Sequence, residues 1–160
     1  MKKVHALTLV ACLTWTLTAI AADAIPPKTH PDSSGWKNLF ATDLSDADFP
    51  KGIWGIEDGL LTASEDQIIW TKAEYGDCIL DLEFKNGPAA NSGVFVYGSD
   101  IKNWISDSVE IQILDDTDPK WASQPKTWHC GGIFGRLAPT RSAVKKAGQW
   151  NRMTITCKGP

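Results

Sequence analysis

Asp107-Ser-Val-Glu-Ile-Gln-Ile-Leu-Asp-Asp116 is the stretch of this 160-residue chain that decides its fold. Its aliphatic residues alternate with Glu110 and Gln112, and this period of two predicts a half-buried β-strand. One side of the strand closes a core, and the other holds a carboxylate and an amide roughly 7 Å apart, at about 3.3 Å rise per residue. With Asp115 and Asp116 at its exit, the stretch fits the floor of a polar cleft and, equally well, a solvated sheet face.

Outside this stretch the chain repeats the pattern in short pieces that are separated by turn signals. Asp58-Gly59 lies between two β-rich runs, which is a strong signal for a hairpin. The strands predicted from such patterns lie at 36–40, 53–63, 67–71, 78–84, 93–97, 108–114, 132–135 and 150–157. No segment of the sequence has a convincing helical period. Short strands at regular spacing are typical of an all-β sandwich or barrel.

The composition narrows the range of partners. The chain has a net charge of −3 and no basic stripe that offsets its acidic residues, so nucleic acid is not an expected partner. Eight tryptophans are a high number for this length, and tryptophan suits surfaces that stack on the flat, CH-rich faces of sugars. This density of tryptophan suits a secreted β protein, and it also suits a surface that binds a small-molecule carbohydrate.

The N-terminus has the features of a secretory signal. Lys2 and Lys3 give a positive start, an apolar run follows, and Ala19-Ile20-Ala21 supplies a small-x-small cleavage site. The apolar run is too short for a membrane-spanning helix. Residues 1–21 are therefore predicted to be a signal peptide and residues 22–34 a Pro-rich linker. The mature protein is expected to be secreted or periplasmic and to have no membrane partner.

Three cysteines remain after the predicted cleavage, namely Cys78, Cys130 and Cys157. In an oxidising compartment this odd number allows one bridge and leaves one free thiol. The spacing does not select the pair. Because the chain has no C-x-x-C motif, a zinc or redox site is disfavoured.

Six short motifs follow one another along the chain, and their order indicates a known family. They are Gly35-Trp-Lys-Asn-Leu-Phe40, Trp54-Gly-Ile-Glu-Asp-Gly-Leu-Leu61, Asn91-Ser-Gly-Val-Phe95, Val109-Glu-Ile-Gln-Ile-Leu-Asp115, Gly132-Ile-Phe-Gly135 and Gly148-Gln-Trp-Asn151. Together, over residues 35–160, they resemble the 3-keto-disaccharide hydrolase domain family of secreted bacterial proteins. The resemblance implies an antiparallel two-sheet jelly roll of the concanavalin A-like type, with a sugar site on the concave sheet and activity on 3-keto glycosides.

Members of this family continue beyond the strand that contains Trp150 and Asn151, through a hairpin and a final strand. The resemblance therefore implies that residues 35–160 form a domain whose last strands are missing. An exposed sheet edge or core face is expected there, and so is a lower stability than a longer chain would have.

The resemblance also implies a site. Glu110, Gln112 and Asp115 would lie on the polar strand that carries the sugar, and Asn91 on the turn beside it. Glu110 is the candidate catalytic base, with an exposed sheet acid as the alternative. Gln112 is a candidate ligand of a sugar hydroxyl, with a plain surface amide as the alternative.

Two reaction routes are open to such a strand. Ordinary glycoside hydrolysis uses two carboxylates that flank the bond, which Glu110 with Glu83 or Asp115 could supply. A 3-keto sugar offers a second route, because its ketone acidifies the C2 proton. One base then removes that proton, the aglycone leaves from C1, and water adds back. This route requires a base, a proton donor and a group that stabilises the enolate oxygen.

Loop residues supply the remaining candidates. His129 is a candidate catalytic acid or metal ligand, although a lone loop histidine is more often merely exposed. Arg136 could hold an enolate or a hydroxyl, although basic loop residues are usually only solvated. Trp128, with Trp104 and Trp121, could stack on a sugar ring or be buried in the core.

The sequence contains no cofactor motif. Asp115-Asp-Thr-Asp118 offers oxygen atoms to a divalent cation such as calcium, but its spacing matches no complete calcium loop, and a turn rich in Asp is the alternative. The sequence therefore predicts an exported enzyme that cleaves the glycosidic bond of 3-keto disaccharides or related glycosides. The alternative is a non-catalytic, lectin-like carbohydrate-binding module on the same fold.

Overall fold

Antiparallel β-strands make up nearly all the regular structure of the chain. A computed structural model describes residues 35–159, and the predicted signal peptide and linker lie outside them. The strands are β1 (Ala47–Asp48), β2 (Trp54–Glu57), β3 (Leu60–Ala63), β4 (Trp70–Thr71), β5 (Cys78–Lys85), β6 (Asn91–Val96), β7 (Val109–Leu114) and β8 (Trp150–Cys157). They pair as β1–β4, β2–β3, β5–β8 and β6–β7. Within residues 35–159 no helix is long and apolar enough to cross a membrane.

The hairpin β2–β3 forms where the sequence predicts it. Asp58 and Gly59 have positive φ angles of 52° and 77°, as in the two-residue turns that match the twist of antiparallel strands. Glycine adopts this conformation without a steric cost, and aspartate tolerates it better than most residues. The turn therefore fixes the register in which Glu57 lies opposite Leu60.

The pair β5–β8 has one apolar and one polar face. Leu80 lies opposite Ile155 on the apolar face. On the polar face the Arg152 guanidinium donates hydrogen bonds to both carboxylate oxygens of Asp81, and Glu83 is exposed opposite Arg152. Because the hydrogen bonds to Asp81 favour the charged guanidinium, the pKa of Arg152 is raised.

The pair β6–β7 contains the stretch that decides the fold. Directly opposite residues of antiparallel strands point to the same face, and we name one face of this pair the Glu110 face. It consists of Asn91, Gly93, Phe95, Glu110, Gln112 and Leu114. On the other face Ile113 is buried, whereas Val109 and Ile111 are half-buried. The alternation seen in the sequence thus separates the carboxylate and the amide from the aliphatic residues.

Three of the predicted strands are absent or reduced, and the one predicted at 67–71 keeps only the two residues of β4. Residues 36–40 do not form a strand; the chain turns after them, and the Ala41 N–H donates to both carboxylate oxygens of Asp46. Of the strand predicted at 132–135, only Ile133 pairs, through isolated bridges to Ile111 and Leu137. After residues 36–40 and at residues 132–135, hydrogen bonds within a turn replace those of a continuous strand ladder.

A single turn of α-helix, α1 (Pro119–Ala122), begins in the long loop after β7, where the sequence predicts no helix. The Asp118 side chain accepts a hydrogen bond from the Lys120 N–H at 2.8 Å, and proline occupies the first helical position. An Asp cap followed by proline is a favourable helix start. A turn of 3-10 helix, Lys126–Trp128, follows and ends just before His129.

Candidate functional site

Glu110 of β7 is paired through its backbone with segments on both sides, and each of these segments carries a phenylalanine. On one side Phe95 of β6 is its register partner. On the other side the Phe134 N–H donates to the Glu110 carbonyl at 3.0 Å, and the adjacent Ile133 bridges to Ile111 in antiparallel fashion. Residues that face each other across antiparallel strands share one side, so Phe95 lies on the Glu110 face. Phe134 lies in the turn that follows Ile133, on the other side of β7.

Each of these phenylalanines is in contact with tryptophan. Phe95 meets Trp104 edge-on, with ring centroids 4.7 Å apart, and lies 6.2 Å from Trp70. The centroid of Phe134 lies 5.2 Å from that of Trp128. All three tryptophans are half-buried. The two segments that flank β7 therefore each carry an aromatic cluster.

A cleft of about 510 Å³ adjoins the first of these clusters. Trp70 and Trp104 line the cleft and also contact Phe95, so the cleft borders the Glu110 face. Its other lining residues come from loops and strand ends: Asp48, Phe49, Pro50, Asp66, Gln67, Ile68 and Ile101. The volume is in the range of small-molecule sites, about 300–1,000 Å³.

The Glu110 side chain leans across β6 and lies over Gly93. A Cβ atom at position 93 would be 2.3 Å from Oε1 of Glu110, 2.7 Å from its Cγ and 2.9 Å from its Cδ. Such separations are far inside van der Waals contact, which for carbon begins at about 3.5 Å. Only glycine at position 93 leaves room for the carboxylate in this place.

Two amides continue the polar row beyond the carboxylate. With Nε2 of Gln112 turned toward Glu110, it donates to Oε1 at 3.0 Å and to the Ser92 carbonyl at 3.2 Å. Turning the Asn91 amide as well then lets its nitrogen donate to the Gln112 oxygen across the 2.8 Å contact between the two amides. This orientation satisfies an ionised carboxylate, which can only accept. Gln112 is only 1% exposed, whereas Asn91 is exposed. Gln112 is thus too deeply buried to bind a sugar hydroxyl directly, and it holds Glu110 and Asn91 in place.

Burial raises the pKa of the Glu110 carboxyl. The cause is the loss of water around the charged form. A carboxylate with a raised pKa is a better proton acceptor than an exposed one, and perturbed carboxyls beside clefts are typical of catalytic sites. The arrangement can therefore remove a proton from a ligand that lies on the Glu110 face.

Glu110→Gln should stabilise the folded protein at neutral pH. Because the raised pKa means that the folded state binds this proton more tightly than the unfolded chain does, stability falls as pH rises from the ordinary value of 4.5 through the raised value. The variant lacks this cost, so its melting temperature should exceed that of the wild type at pH 7 and approach it at a pH below 4.5. An equal gain at both pH values would mean that burial of the charge is not the cause.

His129 lies at the other end of β7. It is buried, with Nδ1 3.6 Å from Oδ2 of Asp116, and Asp116 Oδ1 accepts from the Cys130 N–H at 2.9 Å. Among residues 35–159, His129 Nε2 and Asp116 Oδ2 have no hydrogen-bond partner. Positions 110 and 114 of β7 are about 13 Å apart along the strand. His129 contacts Asp116, which lies two residues beyond position 114. The structure therefore does not bring Glu110 and His129 together. The alternative of an exposed loop histidine is wrong, because the side chain is buried.

The Asp115 side chain accepts hydrogen bonds that stabilise the turn after β7. The Thr117 hydroxyl donates to its Oδ1 at 2.7 Å, and the Ala89 N–H donates to its Oδ2 at 3.2 Å. These hydrogen bonds, that of the Thr117 side chain foremost, lower the pKa of Asp115. The residue is buried, so the structure places it in a turn and not at a sugar.

The other predicted ligands are distributed over the molecule. Glu83 lies on β5 beside Arg152, on a different strand pair from Glu110. Arg136 is exposed on the turn that closes between Ile133 and Leu137. Of the predicted tryptophans, Trp128 and Trp104 belong to the two aromatic clusters. Trp121 instead donates a hydrogen bond from its ring nitrogen to the Ala89 carbonyl at 2.9 Å, which is a structural contact.

The acidic residues that follow β7, at 115–118, bind backbone N–H groups through their side chains. Asp115, Asp116 and Asp118 each accept hydrogen bonds from backbone N–H groups. Within residues 35–159 there is no group of three or more His, Cys, Asp or Glu side chains placed to hold a metal ion.

A sequence profile of the 3-keto-alpha-glucoside-1,2-lyase-like domain family matches residues 31–160. The chain belongs to that family. None of the curated protein sequences matches this lyase-like chain.

Two solved structures from Parabacteroides distasonis, each named "putative glycosyl hydrolase", are similar to this lyase-like domain. The first is 46% identical and superposes with a TM-score of 0.75 over 78% of this chain and 64% of its own. The second is 21% identical, with a TM-score of 0.63 over 72% of this chain and 59% of its own, and supports the fold only. The chain thus spans less than two thirds of either structure. The predicted all-β antiparallel jelly roll is confirmed.

Three residues of the site were missed by reasoning from the sequence: Gly93, Phe95 and Phe134. The first two lie two and four positions after Asn91, so the alternation of β6 places them on the same face as that residue. Phe134 lies in the predicted strand 132–135 and would have been found by pairing that strand with β7. The sequence contained the alternation that places these residues, but using it required knowledge of the register between β7 and its neighbouring segments.

Proposed function

We propose that this protein cleaves the glycosidic bond of 3-keto disaccharides and related 3-keto glycosides, with Glu110 as the base that removes the C2 proton. The observation that carries the proposal is the position of the Glu110 carboxylate over Gly93, on a strand whose two flanking segments carry aromatic clusters, with its pKa raised by burial. The family description, a 1,2-lyase-like domain for 3-keto-alpha-glucosides, supports a reaction across C1 and C2. The name of the 46% identical structure supports cleavage of a glycosidic bond.

The chemistry begins at the C2 hydrogen, which the neighbouring ketone makes acidic. The Glu110 carboxylate takes this proton, and the electron pair of the C2–H bond moves to form an enolate with its charge on the C3 oxygen. The enolate then re-forms the ketone, a double bond forms between C1 and C2, and the bond from C1 to the aglycone oxygen breaks. The aglycone takes up a proton from water. The Glu110 carboxyl exchanges its proton with solvent. Addition of water then returns a hydroxyl to C1 and a solvent-derived proton from Glu110 to C2, and the net result is hydrolysis.

The surrounding residues have roles that fit this sequence of steps. The two aromatic clusters hold the flat faces of sugar rings. The exposed amide of Asn91 bonds a sugar hydroxyl, and the buried Gln112 keeps both Asn91 and Glu110 in position. Arg136, exposed two residues beyond Phe134, supplies positive charge for the enolate oxygen.

A two-carboxylate hydrolysis is less well supported by the positions of the acids. That mechanism needs a second carboxyl close to Glu110, on the other side of the scissile bond. Asp115 is held by Thr117 and Ala89, and Glu83 lies on the strand pair β5–β8. A route that uses one base agrees better with this arrangement.

The test is a comparison of a 3-keto glycoside with the same glycoside before oxidation at C3, using the full-length protein. Because only the ketone acidifies C2, we expect cleavage of the 3-keto substrate and at least about 10³-fold slower cleavage of its parent, a difference of about 4 kcal/mol in activation free energy. Equal rates would support a classical hydrolase. Sugar binding without cleavage of either compound would support the lectin-like alternative.

A further inference from the structure

Cys78 and Cys157 lie directly opposite each other at one end of the pair β5–β8. Cys78 is the first residue of β5, and Cys157 is the last residue of β8. Opposite residues of antiparallel strands have Cα atoms about 4.5–5.5 Å apart and point to the same face. Disulfides span Cα separations of about 4.4–6.8 Å. Both cysteines are reduced in the structure.

We propose that Cys78 and Cys157 form a disulfide that locks the end of the β5–β8 pair, and that Cys130 remains a free thiol. The two cysteines already lie in register with each other, so the pairing requires no shift of one strand along the other.

Cys130 is held in a different part of the fold. Its N–H donates to Asp116 Oδ1 at 2.9 Å, and its thiol is hydrogen-bonded to the backbone of Leu114 at the end of β7. It is buried there. Its neighbours therefore belong to the β7 side of the molecule, and those of Cys157 belong to the β5–β8 end.

The oxidant in this proposal is a disulfide, either of a small thiol such as glutathione or of a dithiol oxidase. Cys78 is the more exposed of the two cysteines, so its thiolate attacks the donor first and forms a mixed disulfide, and one donor thiol leaves. The Cys157 thiolate then attacks the Cys78 sulfur, and the second donor thiol leaves. Two protein thiols are oxidised, the donor disulfide is reduced to two thiols, and the protons pass to and from solvent.

The second of these steps requires the thiolate of Cys157. Burial raises the pKa of this thiol first of all, and the neighbouring Cys78 raises it further. The contribution of Cys78 ends once that residue is held in the mixed disulfide. We therefore expect bridge formation to become faster as pH rises, because both attacks require thiolate.

The bridge would constrain the unfolded chain strongly, because it joins residues far apart in sequence. Closing a loop of roughly 80 residues removes conformational entropy that increases with loop length. For a domain of this size the melting temperature should be on the order of 10 °C higher in the bridged form than in the reduced form. The loop contains β6 and β7, and so the whole Glu110 face lies within it.

The experiment exposes the native full-length protein to oxidised glutathione, then denatures it without reductant, alkylates it and maps its peptides. We expect a peptide in which Cys78 is linked to Cys157, and an alkylated Cys130. Alkylation of all three cysteines, or a bridge that includes Cys130, would overturn the proposal. Cys130→Ser is the matched control and should keep the bridge. Reduction should lower the melting temperature of wild type and of Cys130→Ser but not of Cys78→Ser, and an equal decrease in all three would also overturn it.

Discussion

Glu110→Gln should lower kcat/KM on a 3-keto glycoside by about 10²–10⁴-fold, the usual contribution of a general base. The amide has nearly the same shape as the carboxylate and fits over Gly93 in the same space. It cannot accept the C2 proton at any accessible pH. Because the aromatic clusters and Asn91 are unchanged, the affinity for the sugar should stay within a few-fold of the wild type, and the loss should fall on kcat.

Glu57→Gln is the matched control for this variant. Glu57 is exposed at the end of β2 and takes no part in the proposed chemistry, so the same substitution there should leave kcat and KM unchanged. A Glu110→Gln enzyme with more than about a tenth of wild-type kcat would contradict the assignment of Glu110 as the base.

Gly93→Ala should reduce activity by a steric route, because it removes no polar group from the site. The added methyl would lie 2.3 Å from Glu110 Oε1 and 2.7 Å from Cγ, so the side chain has to move to another rotamer. A displacement of about 1 Å can cost 10²-fold in rate when geometry controls the reaction. We therefore expect kcat to fall by about 100-fold or more.

The control for the steric argument is Gly55→Ala, in β2, where an added Cβ meets nothing within 4 Å. That variant should keep full activity. If Gly93→Ala acts through Glu110, then the double variant Gly93→Ala, Glu110→Gln should be no slower than Glu110→Gln, because residues that act as a unit are not additive. Additive losses would show that position 93 affects the reaction by some other path.

The alternation around Glu110 was sufficient to predict the strand and its two faces, because that information is local. Side chains two positions apart on a strand point the same way whatever the strand pairs with. The same reasoning predicted the hairpin at Asp58 and Gly59 and the full extent of β8, Trp150–Cys157. Each of these depends on neighbours within a few residues.

The walls of the site could not be predicted in the same way. Phe95 and Phe134 lie beside β7 because of the register between β7 and two segments on either side of it, and register is set by the whole sheet. His129 shows the same limit, since its burial beside Asp116 is a contact between the end of β7 and a loop. The turn at Asp115, in contrast, was among the alternatives that the sequence offered. Its hydrogen bonds from Thr117 join residues two positions apart, so the Asp-rich stretch itself indicates them.

The fate of the C2 hydrogen during cleavage tests the central claim most directly. A 3-keto glycoside that carries deuterium at C2 is cleaved by the full-length protein in ordinary water, and the unlabelled substrate is cleaved in deuterium oxide. If Glu110 removes the C2 proton, the product of the deuterated substrate loses its label to the ordinary water. The product of the unlabelled substrate gains deuterium at C2 from deuterium oxide. The deuterated substrate also reacts more slowly when deprotonation limits the rate. Complete retention of the original C2 hydrogen in both reactions would contradict elimination, and with it the role assigned to Glu110.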